Sequence, residues 1–543
     1  MRKEWVGAQR RHAPMKLMPP FVAFIALALL AGCTDPPLPA AGEARPEFSA
    51  DSTRVRVAAG AQYDRHGWWW RHLWGEHYRR LWAAPVSAPV LQLGAAELKP
   101  VRRGGSFQTT SLHLATPDGR AFVLRSVDKN LSQSLPDARL RHWLGPVLRD
   151  QTCAAPPYGA AVVAALAEAT GVYHTNPRLV YLQPDAALGL FGGQVPAALY
   201  LLEEYPTRDQ RHAPSFGGAG LVVGSAAMLQ AVHAQPGAAV AARAYLRARL
   251  LDMLVGDWSR RADQWRWGQF RAGSRTEYRP IPRDRDQAFF RFDDGWLTRG
   301  LSWVRPRYQS FAPTLEPSAV EALTVTARPL DQTALALLPE AVFQAEADSL
   351  VGRLPDAVLR QALQTAPPEV RAQLTQALLP PLQARRAALL AAASRFWQVL
   401  QAEAVVTGTD AAERFVLTAA GPGRVQLQVW GRRPGSPDSL RGEQTYDVRR
   451  TARLRLYGLG GNDEFELRGL LTPGFAVWLD GGRGTNTFRQ VGQPAPLCLG
   501  FTLVANPTDA VQLSGRVRRR PVAAATADAA SWVAGQYRLN FGK

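Results

Sequence analysis

Apolar and polar residues alternate along this chain with a period that changes from stretch to stretch. An apolar run from Phe21 to Leu30 follows a basic stretch containing Arg2, Lys3, Arg10, Arg11 and Lys16. The run is shorter than the roughly 20 apolar residues that span a bilayer, and it suits the core of a signal peptide. Between 60 and 84, Trp70, Trp74, Tyr78 and Trp82 recur every fourth residue and predict a helix with one aromatic face. A period of two follows. Pro89 to Leu93 reads as a strand, and Ser111 to Ala115 as another, which turns through Thr116-Pro117-Asp118-Gly119-Arg120 into a return strand from Ala121 to Val127. Residues 156 to 172 predict a helix. Val180 to Gln183 and Ala197 to Leu202 predict strands, the second leading into Glu203-Glu204. A long helix is expected from Ala238 to Val255, just after the Pro236-Gly237 breaker, followed by short strands Gln264 to Phe270, Tyr278 to Arg283 and Gln287 to Phe292.

Residues 315 to 403 read as helices punctuated by Pro355, Pro367-Pro368 and Pro380-Pro381. Beyond 404 the period returns to two, as in Val425 to Val429 and Arg453 to Tyr457, with glycine-rich turns. The expected fold class is α+β, a two-part body followed by a β-rich, glycine-containing C-terminal domain. The divisions fall at 1–32 (signal peptide), 33–55 (a Pro-rich tether), 56–206 (α+β), 207–403 (helical) and 404–543 (β-rich).

Composition narrows the reading. With 46% hydrophobic and 9% aromatic residues the chain can bury real cores. The net charge is +19, of which the leader carries +4. The remaining positive charge is spread without a dense basic arm, so nucleic acid is not an expected partner. Only Lys3, Lys16, Lys99, Lys129 and Lys543 are lysines among 64 basic residues. A compact ammonium kept in mid-chain, as at Lys129, is therefore informative. Cys153 and Cys498 lie far apart, and an isolated pair predicts no particular disulfide. His66, His72 and His77 fall in the aromatic stretch, where core packing is favoured over metal binding.

Leu30-Ala31-Gly32-Cys33 resembles the lipobox of bacterial lipoproteins. The resemblance implies cleavage before Cys33, a diacylglycerol on its thiol, and a place in the cell envelope, foremost at the outer membrane on its periplasmic or surface face. Met15 or Met18 would serve as an alternative start. Several acyl chains, at about 0.8 kcal/mol per buried CH₂, make a stable membrane anchor.

The body offers, in order, a Gly-rich hairpin, a basic return strand, a helix, a strand ending in acidic residues, a helix leading into an Asp/Arg-rich loop, and a strand ending in paired aspartates. This is the order of parts in a protein-kinase-like, two-lobed fold. Phosphoryl transfer needs a loop over the phosphates, a cation on them, a carboxylate for the acceptor hydroxyl and carboxylates for Mg²⁺. Gly104, Gly105 and Ser106 would cover the phosphates, and Arg125 or Lys129 would pair with them, with Glu203 nearby. Asp257 lies in the loop, and Asp284 and Asp286 would hold metal. The implied cofactor is ATP with Mg²⁺ or Mn²⁺. In the tail, Gly481-Gly482-Arg483-Gly484-Thr485-Asn486 resembles the GGxGxD repeat of calcium-binding β-rolls, with Asn for the final Asp. Such sites take 6–8 oxygen ligands shared between stacked turns. The matches are sparse here, which favours a structural β-sandwich or short solenoid over calcium binding.

Gly104 to Leu114, Phe122 to Lys129, Leu251 to Trp267, Tyr278 to Phe289 and Leu456 to Phe465 resemble segments of a family of Bacteroidetes envelope proteins of unknown function. Some members are fused to a metallophosphoesterase or followed by a surface-antigen-type outer-membrane barrel; no comparable unit is recognisable in this chain. The loop from Gly256 also resembles that of the atypical kinases, namely the secretory-pathway, HipA-type and spore-coat kinases. On that pattern the catalytic Asp falls at Ser259 and the metal-binding Asn at Gln264. A serine hydroxyl cannot take up a proton as a carboxylate does, so the resemblance implies a pseudokinase binding nucleotide or phosphorylated ligand, or acting as a scaffold. An active atypical kinase using Asp257, or a structural partner of an outer-membrane barrel, are the alternatives. An envelope compartment without an ATP pool weighs against ordinary kinase activity.

Overall fold

A computed structural model describes residues 45–541 except 105–108, 136, 236, 306, 434, 470–473, 493–499, 516 and 524–525. The chain is a mixed α/β protein with several sheets. The first sheet holds β1 (Glu47–Phe48), β2 (Arg54–Ala58), β3 (Pro85–Leu91), β4 (Lys99–Gly104), β5 (Ser111–Ala115), β6 (Ala121–Ser126), β7 (Arg178–Leu182) and β8 (Ala198–Glu204), in the order β1-β2-β3-β7-β8-β6-β5-β4. The Thr116–Arg120 turn closes the β5–β6 hairpin, with Gly119 at φ 84°, a conformation that favours glycine. Alternation along β5 and β6 buries Leu112, Leu114 and Leu124 against Leu182, Tyr200 and Leu202.

The second sheet holds β9 (Leu221–Gly224), β10 (Ala238–Val240), β11 (Trp265–Ala272) and β12 (Arg275–Pro282), in the order β10-β12-β11-β9. Beside it runs the helix Ala242–Val255, buried from Leu250 to Val255. The sequence places that helix from Ala238. Instead, Ala238 to Val240 pair in parallel with Thr276 to Tyr278, and the helix begins only after them. The strand expected over 287–292 does not form. Phe289 sits at φ 59°, its N–H bonds to Val255 O, and Arg291 N–H bonds to Ala154 O, so the buried Phe289, Phe290 and Phe292 anchor a loop.

The single helix expected over 60–84 is broken into Trp68–Trp74 and Arg79–Ala83. Gly75 (φ 105°) and His77 (φ 49°) interrupt it, and Asp294 captures the His77 N–H at 2.5 Å. Trp70, Trp74, Tyr78 and Trp82 are nevertheless all buried. From Pro317 to Ala402 the chain is helical; Pro317 and Pro368 lie in first turns, where the missing N–H costs nothing.

The remainder winds between two sheets. One contains β13 (Glu403–Thr407), β17 (Arg453–Tyr457), β19 (Ala476–Asp480), β21 (Phe501–Val504) and β23 (Arg518–Arg520), all parallel. The other contains β14 (Glu413–Ala419), β18 (Glu464–Arg468), β20 (Thr487–Val491) and β22 (Ala510–Gln512), also parallel, with the hairpin β15 (Arg424–Arg433) and β16 (Ser436–Asp447) at one edge. The chain alternates between the sheets, which makes a short two-sheet solenoid. Phe415, Phe465 and Phe488 stack through its interior at 4.8 and 4.7 Å between centroids. At the turns, Asp463 Oδ1 accepts the Glu413 N–H (2.8 Å), Asn486 Oδ1 accepts the Asp463 N–H (3.0 Å), and Asp509 Oδ1 accepts the Asn486 N–H (2.7 Å). Asn486, in the calcium-roll-like segment, thus links successive turns. The tail is not β to its end: helix Ala529–Phe541 seats Trp532 on Tyr457 at 4.7 Å. Among the described residues, no helix is long and apolar enough to cross a membrane.

Candidate functional site

Strand β6 and the loop after β12 face each other. Arg125, near the end of β6, donates from Nη1 to Asp284 Oδ1, and Lys129, just beyond the strand, donates from Nζ to Asp286 Oδ2. The side chains of both pairs are 13–29% exposed. Asp284 has φ 59°, a left-handed conformation that Asp tolerates better than most residues. Burial opposes the charge on Asp284, but Arg125, Lys129 and Arg283 hold its carboxyl far below the usual range. Burial and the neighbouring Asp284 push Asp286 the other way, against the pull of Lys129. Glu203 on β8 is buried, accepts a hydrogen bond from Thr175 Oγ1 at 3.0 Å, and has its pKa raised by burial. These groups line a cavity of about 60 Å³ whose walls include Trp82, Leu201 and Phe290. It has room for a few waters; a drug-sized ligand takes about 300 Å³ or more.

The loop behind the pairs starts where Gly256, at φ 69°, ends helix Ala242–Val255. Asp257 is fully buried. Its Oδ1 accepts the Ser259 N–H at 3.1 Å and its Oδ2 lies 3.4 Å from Arg260 Nη1. Asp252 anchors the same cluster, holding Arg249 (3.1 Å), Arg260 (3.2 Å) and Arg285 (2.9 Å), and Arg249 continues to Asp331 (2.9 Å). Burial, with Asp252 close by, raises the Asp257 pKa to about 7 against the attraction of Arg260. Both oxygens of Asp257 are engaged inside the loop, and it does not line the cavity. Ser259 is itself 7% exposed.

Gln264 is tied to the aspartate arm through its carbonyl, which accepts the Arg283 N–H at 2.9 Å. Its Oε1 is buried without a hydrogen-bond partner. Among the described residues no group of three or more His, Cys, Asp or Glu could hold a metal. Two aspartates and an unsatisfied amide oxygen do not make an all-protein cage. Asp284 and Asp286, which line the cavity, would suit Mg²⁺, which keeps waters and is held by one or two carboxylates together with substrate phosphates; Gln264 does not line the cavity. Of the histidines of the aromatic stretch, His66 and His77 are buried. His77 lies 2.8 Å from Asp294 and 3.0 Å from Gln151, and His66 lies 3.2 Å from Asp150 and stacks on Trp70.

Neither the family models nor the curated proteins contain a match to this chain. Solved structures do. The proinflammatory kinase CtkA of Helicobacter pylori is 9% identical over 58% of this chain and 98% of its own, with a TM-score of 0.30. HipA, in its complex with HipB and operator DNA from Shewanella oneidensis MR-1, is 10% identical over 55% of this chain and 65% of its own, with a TM-score of 0.25. The Rio2 kinase–ADP/Mg²⁺–phosphoaspartate complex from Chaetomium thermophilum is 14% identical over 64% of this chain and 86% of its own, with a TM-score of 0.22. Two of the three are kinases by name. At these scores the likeness is one of general outline.

One part of the site is not apparent in the sequence. The Tyr205 hydroxyl, just past β8, accepts from Arg266 Nη2 at 2.7 Å, and the guanidinium carbons of Arg266 and Arg283 lie 5.5 and 4.9 Å from its ring centroid. His113 on β5 meets the same ring edge-on at 4.7 Å. Burial, reinforced by Arg102, Arg283, Arg125 and Arg266, pushes the His113 pKa down to about 4. Arg283 keeps Nε and Nη1 buried without hydrogen-bond partners. The available signal was the charge alternation Arg283-Asp284-Arg285-Asp286. It sends the aspartates toward β6 and Arg285 toward Asp252. Of the remaining candidates, Gly104 ends β4 against the His113 ring. Gly105, Ser106 and Cys33 lie outside the described residues, as does Cys498. Cys153 is buried and donates to Asp150 O at 3.0 Å.

Proposed function

We propose that this chain is a lipid-anchored envelope protein whose body is a kinase-like, two-lobed unit that binds a phosphorylated ligand with Mg²⁺ or Mn²⁺ without transferring the phosphoryl group. The β4–β8 sheet stands as the upper lobe. Helix Ala242–Val255, its loop and the β11–β12 hairpin stand as the core of the lower lobe, and the solenoid forms a C-terminal domain. One observation supports the reading: Arg125 and Lys129, the candidate phosphate cations, pair with Asp284 and Asp286, the candidate metal ligands. Arg125 and Lys129 would hold the phosphates, while Asp284 and Asp286 would hold the ion, which supplies charge neutralisation between phosphate oxygens. The position where a base would stand is Ser259, and the nearest loop carboxylate, Asp257, is locked to Arg260. Binding without transfer is what such a set supports.

The test is a thermal-shift titration of the full chain with ATP and Mg²⁺ or Mn²⁺, beside Asp286→Ala. Linkage gives about 2.7 kcal/mol of stabilisation at a hundred times the dissociation constant. A metal-dependent shift, lost in the variant and without ATP turnover, is expected. Turnover that disappears in Asp286→Ala would establish an active kinase instead. No shift with any nucleotide would reduce the cleft to a scaffold and favour the barrel-partner reading.

A further inference from the structure

Helices Trp68–Trp74 and Trp296–Val304 pack together, with Ala138–Asp150 alongside. Their inward residues Trp70, Leu73, Trp74, Val147 and Leu297 form one small apolar cluster. Their outward faces are apolar as well. Trp68, Trp69, Trp296 and Trp303 are 57%, 63%, 57% and 79% exposed, and Trp143 is 65% exposed. Trp68, Trp69, His72 and Trp296 belong to one surface. Trp68 lies 4.6 Å from Trp69 and 3.8 Å from His72, and His72 lies 6.2 Å from Trp296. Trp303, two helical turns beyond Trp296, shares its side. Isolated exposed apolar residues need no explanation, but a contiguous patch marks an interaction site.

Charge identifies the partner. Between Asp64 and Glu76, between Asp137 and Asp150, and between Asp294 and Glu316, the three segments contain no carboxylate. They do carry the exposed Arg65, Arg139, Arg141, Arg299 and Arg305. Tryptophan, with an apolar ring and a polar N–H, settles at the level of lipid headgroups. Arginine on the same face is drawn to anionic lipid. We infer that this face is a membrane-contact surface that lies against anionic headgroups. A protein partner would be expected to meet charge with charge; between the carboxylates that flank the three segments, this surface is aromatic and basic. The membrane in question is the one the proposed Cys33 anchor would reach, so the inference rests on that reading for its location and on the tryptophans for its chemistry.

The experiment uses the full chain incorporated into vesicles of phosphatidylethanolamine and phosphatidylglycerol whose acyl chains are brominated close to the headgroup. Flotation of the vesicles reports the anchor, and quenching of tryptophan fluorescence by bromine reports the patch, so failure of one does not mimic failure of the other. Wild type should be quenched relative to unbrominated vesicles. The variant W68S/W69S/W296S/W303S should float equally well and lose that quenching. R299E/R305E, which keeps every ring, should lose the quenching in the anionic vesicles. Absence of quenching in wild type, or quenching retained by the tryptophan variant, overturns the proposal; the former would turn the patch into a protein-docking face.

Discussion

Asp480 closes strand β19 inside the solenoid at 1% exposure. Its Oδ1 accepts the Gly482 N–H at 3.1 Å and its Oδ2 accepts from Thr526 Oγ1 at 3.0 Å. Burial dominates over these bonds and raises its pKa from 3.8 to about 6. The folded state therefore takes up a proton that the unfolded chain does not hold between about pH 4 and 6. The associated stability is fully present below pH 4 and lost as pH rises through 6. Two pH units correspond to about 3 kcal/mol. Asp480→Asn imitates the neutral acid: its Oδ1 can accept the Gly482 N–H while its Nδ2 donates to Thr526 Oγ1. The variant should match wild type at pH 4 and exceed it by up to about 3 kcal/mol at pH 8, read from urea midpoints at each pH. His113 and His233, both pushed down to about 4 chiefly by burial, weaken the fold at acid pH, but they do so equally in both proteins and cancel in the difference. A gap between the two proteins that stays constant with pH, or a wild type that is the more stable at pH 8, would refute the assignment of a neutral Asp480.

Two further outcomes follow from packing. Asn486→Asp removes the Nδ2–H that reaches Asp509 at 3.2 Å and adds a carboxylate between Asp463 and Asp509. It should cost about 1–3 kcal/mol at neutral pH, less in acid, and millimolar calcium should leave the loss unchanged in a denaturation series. At Gly295 a Cβ would meet Gly75 N at 2.5 Å and Leu73 O at 2.7 Å, whereas at Gly300, one turn on, it would meet nothing within 4 Å. Gly295→Ala should lose about 1–3 kcal/mol by overpacking. Gly300→Ala should be neutral or gain up to about 1 kcal/mol, and melting curves of the two variants would separate these effects.

Local signals were legible and pairings across the chain were not. The β5–β6 hairpin is written in its turn, and Pro355 and Pro367-Pro368 mark helix starts, whereas Pro380-Pro381, expected as a break, lies inside the continuous helix Pro368–Ala387. The break at Gly75 depends on Asp294, more than two hundred residues away, and so is invisible to periodicity. Strand β10 looks like the first turn of a helix until Thr276 to Tyr278 supply its parallel partner. The solenoid left a readable trace that periodicity of two alone does not detect: Asp463, Asn486 and Asp509 recur at intervals of 23 residues, one per turn. In the cleft, Arg125, Lys129, Asp284 and Asp286 stand out because each is the chemistry-bearing residue at a strand end. The burial of Asp257 is not visible in the sequence, since the arginines around it are ordinary members of a chain rich in arginine. The stack of His113, Tyr205, Arg266 and Arg283 draws one member from each of four segments, so no local pattern marks it.

The crossed pairs of the cleft also limit what kind of guest they can accept. Arg125, Lys129, Asp284 and Asp286 sum to zero charge, with every cation already matched to a carboxylate. A bare phosphate would claim the cations and leave two carboxylates uncompensated in a poorly hydrated place; a bare divalent ion would do the reverse. Either exchange incurs the penalty of a stranded charge. A guest that brings anion and cation together exchanges one neutral set for another. On the proposed reading the cleft would act as a coincidence detector, in which the affinity for each half of the guest is set by the concentration of the other.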